Sequence, residues 1–261
     1  MCTVIVLRRP GHPWPLVLAA NRDEMADRPW RPPGRHWPDR PHVVAGLDEK
    51  AGGSWLGLND HGVVAGVLNR VDSLGSAKNK KSRGELVLEA LDHSDATAAA
   101  TQVSHLNAGD YRSFNMVVAD NQNAFWLRNL DEERGAEGGP ATIEVFELPP
   151  GLSMITARDR NDPTSPRIHE HLPRLEKAEP PDPRSGNWRD WLEILKSRKT
   201  GEDHDPEGAM TIVTDSGFGT VSSSLIGLPG IPQSLRETPI KPVWRFAPGR
   251  PDKTPYEPVE L

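Results

Sequence analysis

The first seventy residues alternate short apolar runs with turn-forming residues, a pattern typical of β-strands. The runs Cys2–Leu7 and Leu16–Ala20 flank the turn-rich segment 10–13, Pro-Gly-His-Pro, and this arrangement predicts an antiparallel hairpin. Further strands are predicted at Val43–Leu47, Ser54–Leu58 and Val63–Leu68. Five strands so close together indicate an antiparallel sheet. The proline-rich stretch 28–41 between them predicts no regular element.

After residue 80 the spacing of apolar positions changes to that of helices. Ser82 and Glu85 have the spacing of a capping box, in which each side chain satisfies an exposed amide at a helix start, and apolar residues continue that helix to Leu91. Further helices are predicted at Ala96–Leu106, Pro166–Lys177 and Trp188–Lys196. Further strands are predicted at Phe114–Ala119, Ala124–Leu130, Ile143–Leu148, Leu152–Thr156, Met210–Thr214, Thr220–Leu225 and Val243–Phe246.

Antiparallel strands that alternate with helix pairs favour an α+β fold over a doubly wound parallel sheet. We expect stacked, mostly antiparallel sheets covered by helices. The sequence shows no internal repeat and no domain boundary, so it predicts a single domain over residues 1–261.

The composition is that of a globular protein and excludes several functional classes. The 261 residues carry a net charge of −6, and a nucleic-acid surface is basic, so no nucleic-acid partner is expected. One cysteine excludes an internal disulfide and a cysteine-rich metal site, and we expect no metal and no cofactor. No apolar run reaches the ~18–20 residues of a membrane span. Arg8 and Arg9 interrupt the N-terminal run, so it predicts no signal peptide. We expect a cytoplasmic protein without stable membrane insertion.

Candidate chemistry begins at Cys2, the only cysteine of the chain. Removal of Met1, which is usual before a small second residue, would leave a thiol and an α-amine on one residue. The free amine has a pKa of about 7.7–8.0 and the thiol about 8.5, so the amine can act as the base of the thiol near neutral pH. This is the chemistry of N-terminal nucleophile hydrolases. The alternative is that a cysteine at position two is an accident of composition.

The second candidate element is Asn21-Arg22-Asp23-Glu24, which follows the second predicted strand. Four polar residues at a strand end are compatible with a solvated turn. Antiparallel pairing with the first strand would instead bring Arg22 or Asp23 beside Cys2. An arginine there stabilises a thiolate, and a carboxylate holds an α-amine in position.

The third candidate is Asn69, which closes the strand that begins at Val63. An asparagine in this position is often the first residue of a turn. In acyl transfer it can instead offer an N–H to the developing oxyanion, an interaction worth a few kcal/mol.

These residues together resemble the NRDE family, which is named for its Asn-Arg-Asp-Glu signature and is related to transport and Golgi organization protein 2. The resemblance rests on Met1-Cys2-Thr3, on 21–24, on the segment 51–59 (Ala-Gly-Gly-Ser-Trp-Leu-Gly-Leu-Asn) and on the strand that ends in Leu68-Asn69. The NRDE family in turn resembles cysteine N-terminal nucleophile hydrolases of the choloylglycine hydrolase and penicillin V acylase type. The resemblance implies a four-layer αββα sandwich and cleavage of linear amides.

Carried over by position, the resemblance implies that Cys2 is the nucleophile, that Asp23 holds its α-amine and that Asn69 contributes to the oxyanion hole. The hydrolases have an arginine three residues before the aspartate, where this chain has Ala20, and Arg22 is the candidate substitute. Their second oxyanion asparagine has no match after Thr156, although Asn161 is nearby. Their late arginine is also unmatched, because the serines 222–224 are followed by leucine.

The first functional hypothesis is therefore hydrolysis of a small-molecule linear amide through Cys2. The second hypothesis is a non-catalytic protein of the same fold that binds or transports an apolar ligand. The resemblance implies haem or a lipid metabolite as that ligand.

Overall fold

The protein is described here by a computed structural model that covers residues 2–130, 141–200, 208–231 and 240–261. In chain order the strands are β1 (Thr3–Arg8), β2 (Leu16–Met25), β3 (Trp30–Gly34), β4 (Val43–Asp48), β5 (Leu56–Asn59), β6 (Val64–Asn69), β7 (Phe114–Ala119), β8 (Ala124–Asn129), β9 (Ile143–Glu147), β10 (Gly151–Ile155), β11 (Phe218–Leu228), β12 (Val243–Ala247) and β13 (Glu257–Pro258). The helices are α1 (Gly84–Leu91), α2 (Ala96–Ser104), α3 (Pro166–Lys177) and α4 (Arg189–Leu195), and Ala108–Asp110 forms a short 3-10 turn.

The chain forms two compact units. It leaves the first unit after Arg28 and returns to it at Pro149. The first unit contains residues 1–28 and 149–260, and the second contains residues 29–148 together with Leu261. Each unit has one antiparallel sheet and its own helices. The α+β class with mostly antiparallel sheets, predicted from the sequence, is confirmed.

The sheet of the first unit has the described strand order β10-β1-β2-β11-β12-β13. The predicted hairpin is present at its centre, where β1 and β2 pair from Thr3 opposite Asn21 to Arg8 opposite Leu16. The long strand β11 pairs with the whole of β2 through a bulge between Thr220 and Ser222. Strand β11 from the C-terminal part of the first unit therefore pairs with β2 from its N-terminal part.

One face of this sheet packs against α3 and α4. Alternate residues of the hairpin, such as Ile5 and Val17, are fully buried against apolar side chains of the two helices, including Ile168 and Trp191. The period-two pattern of the strands and the helical spacing of α3 and α4 thus meet in one core. Burial of each such aliphatic side chain contributes about 1.5–3 kcal/mol.

The second unit is a meander in which β3 to β9 follow each other in both sequence and space. Helices α1 and α2 cover one face, where Leu86, Leu91 and Val103 pack against strand residues such as Phe114 and Met116. Helix α1 does not begin with the predicted capping box. Its N-cap is Arg83, and the Ser82 hydroxyl accepts from the Gly84 amide at 3.2 Å.

The structure differs from the predicted strands in three places: one strand is longer, one was not predicted and one is absent. Strand β2 does not end at Ala20 but continues through the polar residues to Met25, because β11 pairs with it over that length. A strand also forms at Trp30–Gly34, where prolines are tolerated because β3 lies at a sheet edge. The predicted strand 210–214 is absent. The Asn21 and Thr220 side chains satisfy its backbone groups, so only an isolated bridge from Val213 to Gly219 remains.

The edge of the first-unit sheet is closed at β10 by Asn161, which has a left-handed backbone (φ 54). Its amide oxygen accepts from the Met154 N–H at 2.6 Å, and its Nδ2 donates to the Leu152 carbonyl at 3.3 Å. A short polar residue tolerates this backbone conformation better than most.

None of the described helices is long and apolar enough to cross a membrane.

Helix α3 carries a buried histidine, His171, with hydrogen-bond partners at both ring nitrogens. Arg174 donates to His171 Nδ1 at 2.9 Å, so Nε2 carries the proton and donates to the Gly208 carbonyl at 3.0 Å. Burial, followed by the charge of Arg174, lowers the pKa of His171 to about 4. The native histidine is therefore neutral at neutral pH.

This gives a prediction for stability against pH. The unfolded chain binds a proton at His171 below about pH 6.5, whereas the native chain does so only near pH 4, so stability falls as the pH drops through that window. Between pH 7.5 and 5 we expect this residue to account for a loss of about 2 kcal/mol. Urea unfolding at the two pH values measures the loss, and His171→Gln should remove it. The matched control is His169→Gln on the exposed side of α3, which should leave the pH dependence unchanged.

Candidate active site

Cys2 lies immediately before β1, and the backbone of β2 holds its thiol. The Asp23 amide donates to Sγ at 3.4 Å, and Sγ donates to the Asp23 carbonyl at 3.6 Å. The register explains this position, because Thr3 pairs with Asn21 and the residue before Thr3 falls beside residues 22 and 23. Cys2 as a residue is half-buried. The hairpin therefore brings the thiol to the Asn-Arg-Asp-Glu segment.

The four residues of this segment alternate between the two faces of the sheet, as side chains on a strand do. Asn21 contacts the last residue of α4 and Asp23 contacts α3, so both lie on the helix-covered face. Arg22 and Glu24 lie on the opposite face. The segment thus divides its side chains between two environments.

Asn21 joins three parts of the first unit. Its Nδ2 donates to the carbonyl oxygens of Leu195 at 3.1 Å and Met210 at 2.8 Å, and its Oδ1 accepts from the Ser223 hydroxyl at 2.6 Å. Tyr256 donates to the same serine at 2.6 Å. Burial raises the pKa of Tyr256, which keeps its phenol a donor. All polar atoms of the Asn21 amide are thereby used, and we assign this residue a structural role.

The Asp23 carboxylate is buried and accepts hydrogen bonds on both of its oxygens. Thr220 of β11 donates to Oδ1 at 2.6 Å, and Arg167 of α3 donates to Oδ2 at 3.0 Å. The Thr220 hydroxyl also accepts from the Ile212 amide at 2.9 Å, which fixes its proton toward Asp23. Donors from two different elements, β11 and α3, thus hold the two oxygens of this carboxylate.

Arg167 is a site residue that the sequence analysis missed. It lies in the first turn of α3, after the N-cap Ser165 and the Pro166 that follows it, and it is only 1 % exposed. Its Nη1 also donates to Thr3 Oγ1 at 2.6 Å. One signal could have found it. A cation in the first turn of a helix opposes the helix dipole, and α3 has no acidic residue there to offset it.

The opposite face of the sheet carries further polar groups near the strand end. Arg22 is 6 % exposed and lies 4.0 Å from Glu24, which also pairs with Arg28 at 3.6 Å. Ser222 of β11 pairs with Arg22 in the register. Its buried hydroxyl has no hydrogen-bond partner among the residues that the structure describes. Alternation from Thr3 places the Cys2 side chain on this same face.

The environment makes the thiol a weak acid. Burial is the main cause that raises the pKa of Cys2, and the charge of Asp23 raises it further, while the charge of Arg22 acts in the opposite direction. The thiol is therefore protonated at neutral pH. A nucleophilic role for Cys2 requires a base that removes its proton during attack.

Two further sequence candidates are Asn69 and Asn161. Asn69 is the last residue of β6 in the second unit, where it pairs with Phe114, and its role in an oxyanion hole stays a prediction. The side chain of Asn161 bonds to the backbone of β10, as described above, so both of its polar atoms are already engaged.

Within residues 2–130, 141–200, 208–231 and 240–261, no three His, Cys, Asp or Glu side chains converge as ligands. The groups that the site does offer are a thiol, a buried carboxylate, two guanidinium groups and hydroxyls. These groups support acyl-transfer or ligand-binding chemistry.

Comparison with known proteins places this geometry in context. Residues 1–178 match the family model described as Transport and Golgi organisation 2. The Transport and Golgi organization protein 2 homolog of Bos taurus is 38% identical over 112 residues, and that of Homo sapiens is 32% identical over 108 residues. Each match covers 40% of this chain, and the chain spans 38% of the length of these curated relatives.

Solved structures resemble the chain at low sequence identity. The Caenorhabditis elegans ortholog of N-acylethanolamine-hydrolyzing acid amidase has a TM-score of 0.58 at 15% identity, over 89% of this chain and 95% of that one. Penicillin V acylase from Agrobacterium tumefaciens has a TM-score of 0.49 at 12% identity, over 95% of this chain and 83% of that one. The first likeness confirms the N-terminal nucleophile hydrolase fold that the sequence resemblance implied.

The structural role of Asn21 gives a testable prediction. Asn21→Ala removes both donors to the carbonyls of Leu195 and Met210, so we expect a loss of about 2–4 kcal/mol in the free energy of unfolding. Urea unfolding followed by circular dichroism measures it. The control is Asn107→Ala, an exposed asparagine that caps a short turn, with an expected loss of about 1 kcal/mol or less. Wild-type stability of Asn21→Ala would show that this assignment is wrong.

Proposed function

The chain belongs to the Transport and Golgi organisation 2 family, and we propose that it hydrolyses a linear amide with Cys2 as an N-terminal nucleophile after removal of Met1. The observation that carries the proposal is the position of the only cysteine. The thiol is held by the backbone N–H and C=O of Asp23. The side chain of the same residue carries a buried carboxylate. One residue of β2 thus contacts the thiol and offers an anion for an α-amine.

The proposed reaction uses both groups of a terminal cysteine. The α-amine of Cys2 accepts the thiol proton while Sγ attacks the amide carbonyl, and a tetrahedral oxyanion forms. The protonated amine then gives its proton to the leaving nitrogen, the C–N bond breaks and a thioester remains. Water attacks the thioester by the same proton path, releases the acid and restores the thiol.

Neighbouring residues support these steps. Asp23 accepts a hydrogen bond from the α-amine and holds it in position. Arg22 stabilises negative charge that develops on sulfur, since its charge already lowers the pKa of the thiol. Asn69 keeps the role of oxyanion donor that the family resemblance implies. The Ser222 hydroxyl, which has no partner within the described part of the chain, is available to hydrogen-bond a polar group of the substrate.

The raised pKa of the thiol is compatible with this mechanism. A thiol of higher pKa is a stronger nucleophile once it has lost its proton, provided that a base removes the proton during attack. The α-amine, with an ordinary pKa of about 7.7–8.0, is suited to that task near neutral pH. Catalysis therefore depends on the amine being free.

An amide substrate is supported by the fold. The Caenorhabditis elegans protein that shares it is an ortholog of N-acylethanolamine-hydrolyzing acid amidase, and an N-acylethanolamine contains a linear amide bond. We propose the same bond type for this chain and leave the acyl and amine groups to experiment.

The second candidate is binding of an apolar ligand without catalysis, and the raised pKa of the thiol favours it. A protonated thiol in a desolvated position is inert unless a base acts on it. This candidate predicts tight binding of haem or a lipid metabolite with no turnover.

The experiment compares three forms of residue 2. The wild-type chain should lack Met1 by intact-mass analysis and should hydrolyse members of a panel of linear N-acyl amides of increasing acyl length. Cys2→Ser should turn over more slowly. Cys2→Ala should lose more than about a thousandfold, because the nucleophile is gone.

A matched control separates the thiol from the amine. Insertion of one alanine between Met1 and Cys2 leaves the thiol but moves the free α-amine to another residue, so turnover should be lost although the cysteine remains. Undiminished turnover in this variant, or in a wild-type chain that keeps Met1, would contradict the mechanism. A processed chain that hydrolyses no amide but binds an apolar ligand would favour the second candidate.

A further inference from the structure

We infer that Arg167 is a positioning residue for Cys2, because its guanidinium binds the side chains of Thr3, the next residue in the chain, and of Asp23, whose backbone contacts the thiol. This inference rests on the proposed role of Cys2 as the nucleophile. Thr3 follows Cys2 directly in the chain, and Asp23 contacts Sγ through its backbone. No feature of the sequence pattern links residue 167 to this strand end.

The geometry is that of a clamp on the helix-covered face of the sheet. A single nitrogen, Nη1, donates to Thr3 Oγ1 at 2.6 Å and to Asp23 Oδ2 at 3.0 Å. It therefore joins the first residue of β1 to the end of β2. Cys2 lies one residue before this contact, at a chain end that the β1 ladder itself does not reach.

The clamp is positioned by the start of α3. The Ser165 side chain accepts from the Ile168 amide at 3.5 Å and also contacts the Thr156 hydroxyl at 3.2 Å, which ties the helix start to the end of β10. Pro166 suits the first turn because its missing N–H has no partner there in any helix. Arg167 then projects into the sheet and is 1 % exposed.

Stability alone does not account for this contact. A buried ion pair loses about as much in desolvation as it gains in attraction, and an apolar replacement is often neutral. The pairing of β1 with β2 is already provided by six residue pairs of backbone ladder. What the guanidinium adds is a fixed position for two side chains and a positive charge beside the Asp23 carboxylate.

That charge has a consequence at the thiol. The charged groups that act on Cys2 are Asp23, Arg22 and the amino terminus, and the Asp23 carboxylate disfavours the thiolate. Arg167 offsets that carboxylate from the far side of β2. Removing Arg167 takes away this positive charge while the carboxylate stays, so the thiol should ionise only at higher pH.

The test measures how the alkylation rate of Cys2 by iodoacetamide depends on pH. Cys2 is the only cysteine, so the signal reports on one thiol. Arg167→Gln removes the charge, and we expect the midpoint of the rate to rise by about one pH unit, with about tenfold slower alkylation at pH 7. Arg167→Lys keeps the charge and should stay within about threefold of wild type. Arg174→Met removes another guanidinium from α3 and should match wild type.

A second variant tests the part that Asp23 plays. In Asp23→Asn the carboxylate charge that disfavours the thiolate is absent, so the midpoint should fall below that of wild type. A folded Arg167→Gln chain with a wild-type pH profile would overturn the inference, as would an Asp23→Asn midpoint at or above that of wild type. If Arg167→Gln does not fold, Thr3→Val tests the same clamp. Alkylation slowed about two- to threefold supports the inference, and an unchanged rate overturns it.

The alkylation readout separates this inference from the proposed function. It needs no amide substrate, so a chain that hydrolyses nothing but shows the Arg167-dependent profile would retain the clamp and lose the hydrolase. The opposite result, turnover with a profile indifferent to Arg167, would retain the hydrolase and remove the clamp.

Discussion

The buried carboxylate of Asp23 is the group on which the end of the first-unit sheet depends. Burying a carboxylate costs several kcal/mol unless it is paired and hydrogen-bonded. Here Thr220 comes from β11 and Arg167 from α3, and Arg167 in turn reaches Thr3 of β1. Strands β2 and β11 and helix α3 must therefore come together before the Asp23 carboxylate has both of these hydrogen bonds. The backbone of the same residue holds the Cys2 thiol, so the position of the thiol is coupled to the assembly of the whole strand end.

The Asn-Arg-Asp-Glu segment is better understood as two sets of residues than as one site. Asn21 uses its amide to hold the sheet to α4 and to the segment near Met210, and it leaves nothing for a ligand. Asp23 connects that framework to the thiol. Arg22 and Glu24 lie on the other face, where a charge can act on sulfur or on a bound molecule. This division follows from the alternation of side chains along a strand. Adjacent residues therefore differ in role, one structural and the next available for chemistry.

The sequence predicted the elements whose pattern is local. The β1–β2 hairpin and α3 follow from period-two and helical spacing, and the predicted hairpin brings the lone cysteine beside the polar segment. The extension of β2 was missed because Asn21 to Glu24 are polar, and their partners lie far away in sequence. The residues that contact Asp23 are Arg167, which is 144 positions later in the chain, and Thr220, which is 197 positions later. No window of local sequence contains such a pairing, and Arg167 was missed for the same reason. The role of Asn69 stays a prediction.

The central claim is that Cys2 becomes acylated during turnover, and trapping the intermediate tests it most directly. The protein is mixed with an excess of a linear N-acyl amide that it hydrolyses, quenched in acid within the first turnovers and digested for mass spectrometry. The account predicts a Cys2 peptide that lacks Met1 and is heavier by the acyl group, with the added mass removed by hydroxylamine as expected for a thioester. An unmodified Cys2 peptide during active turnover, or an acyl group on any other residue, would contradict it.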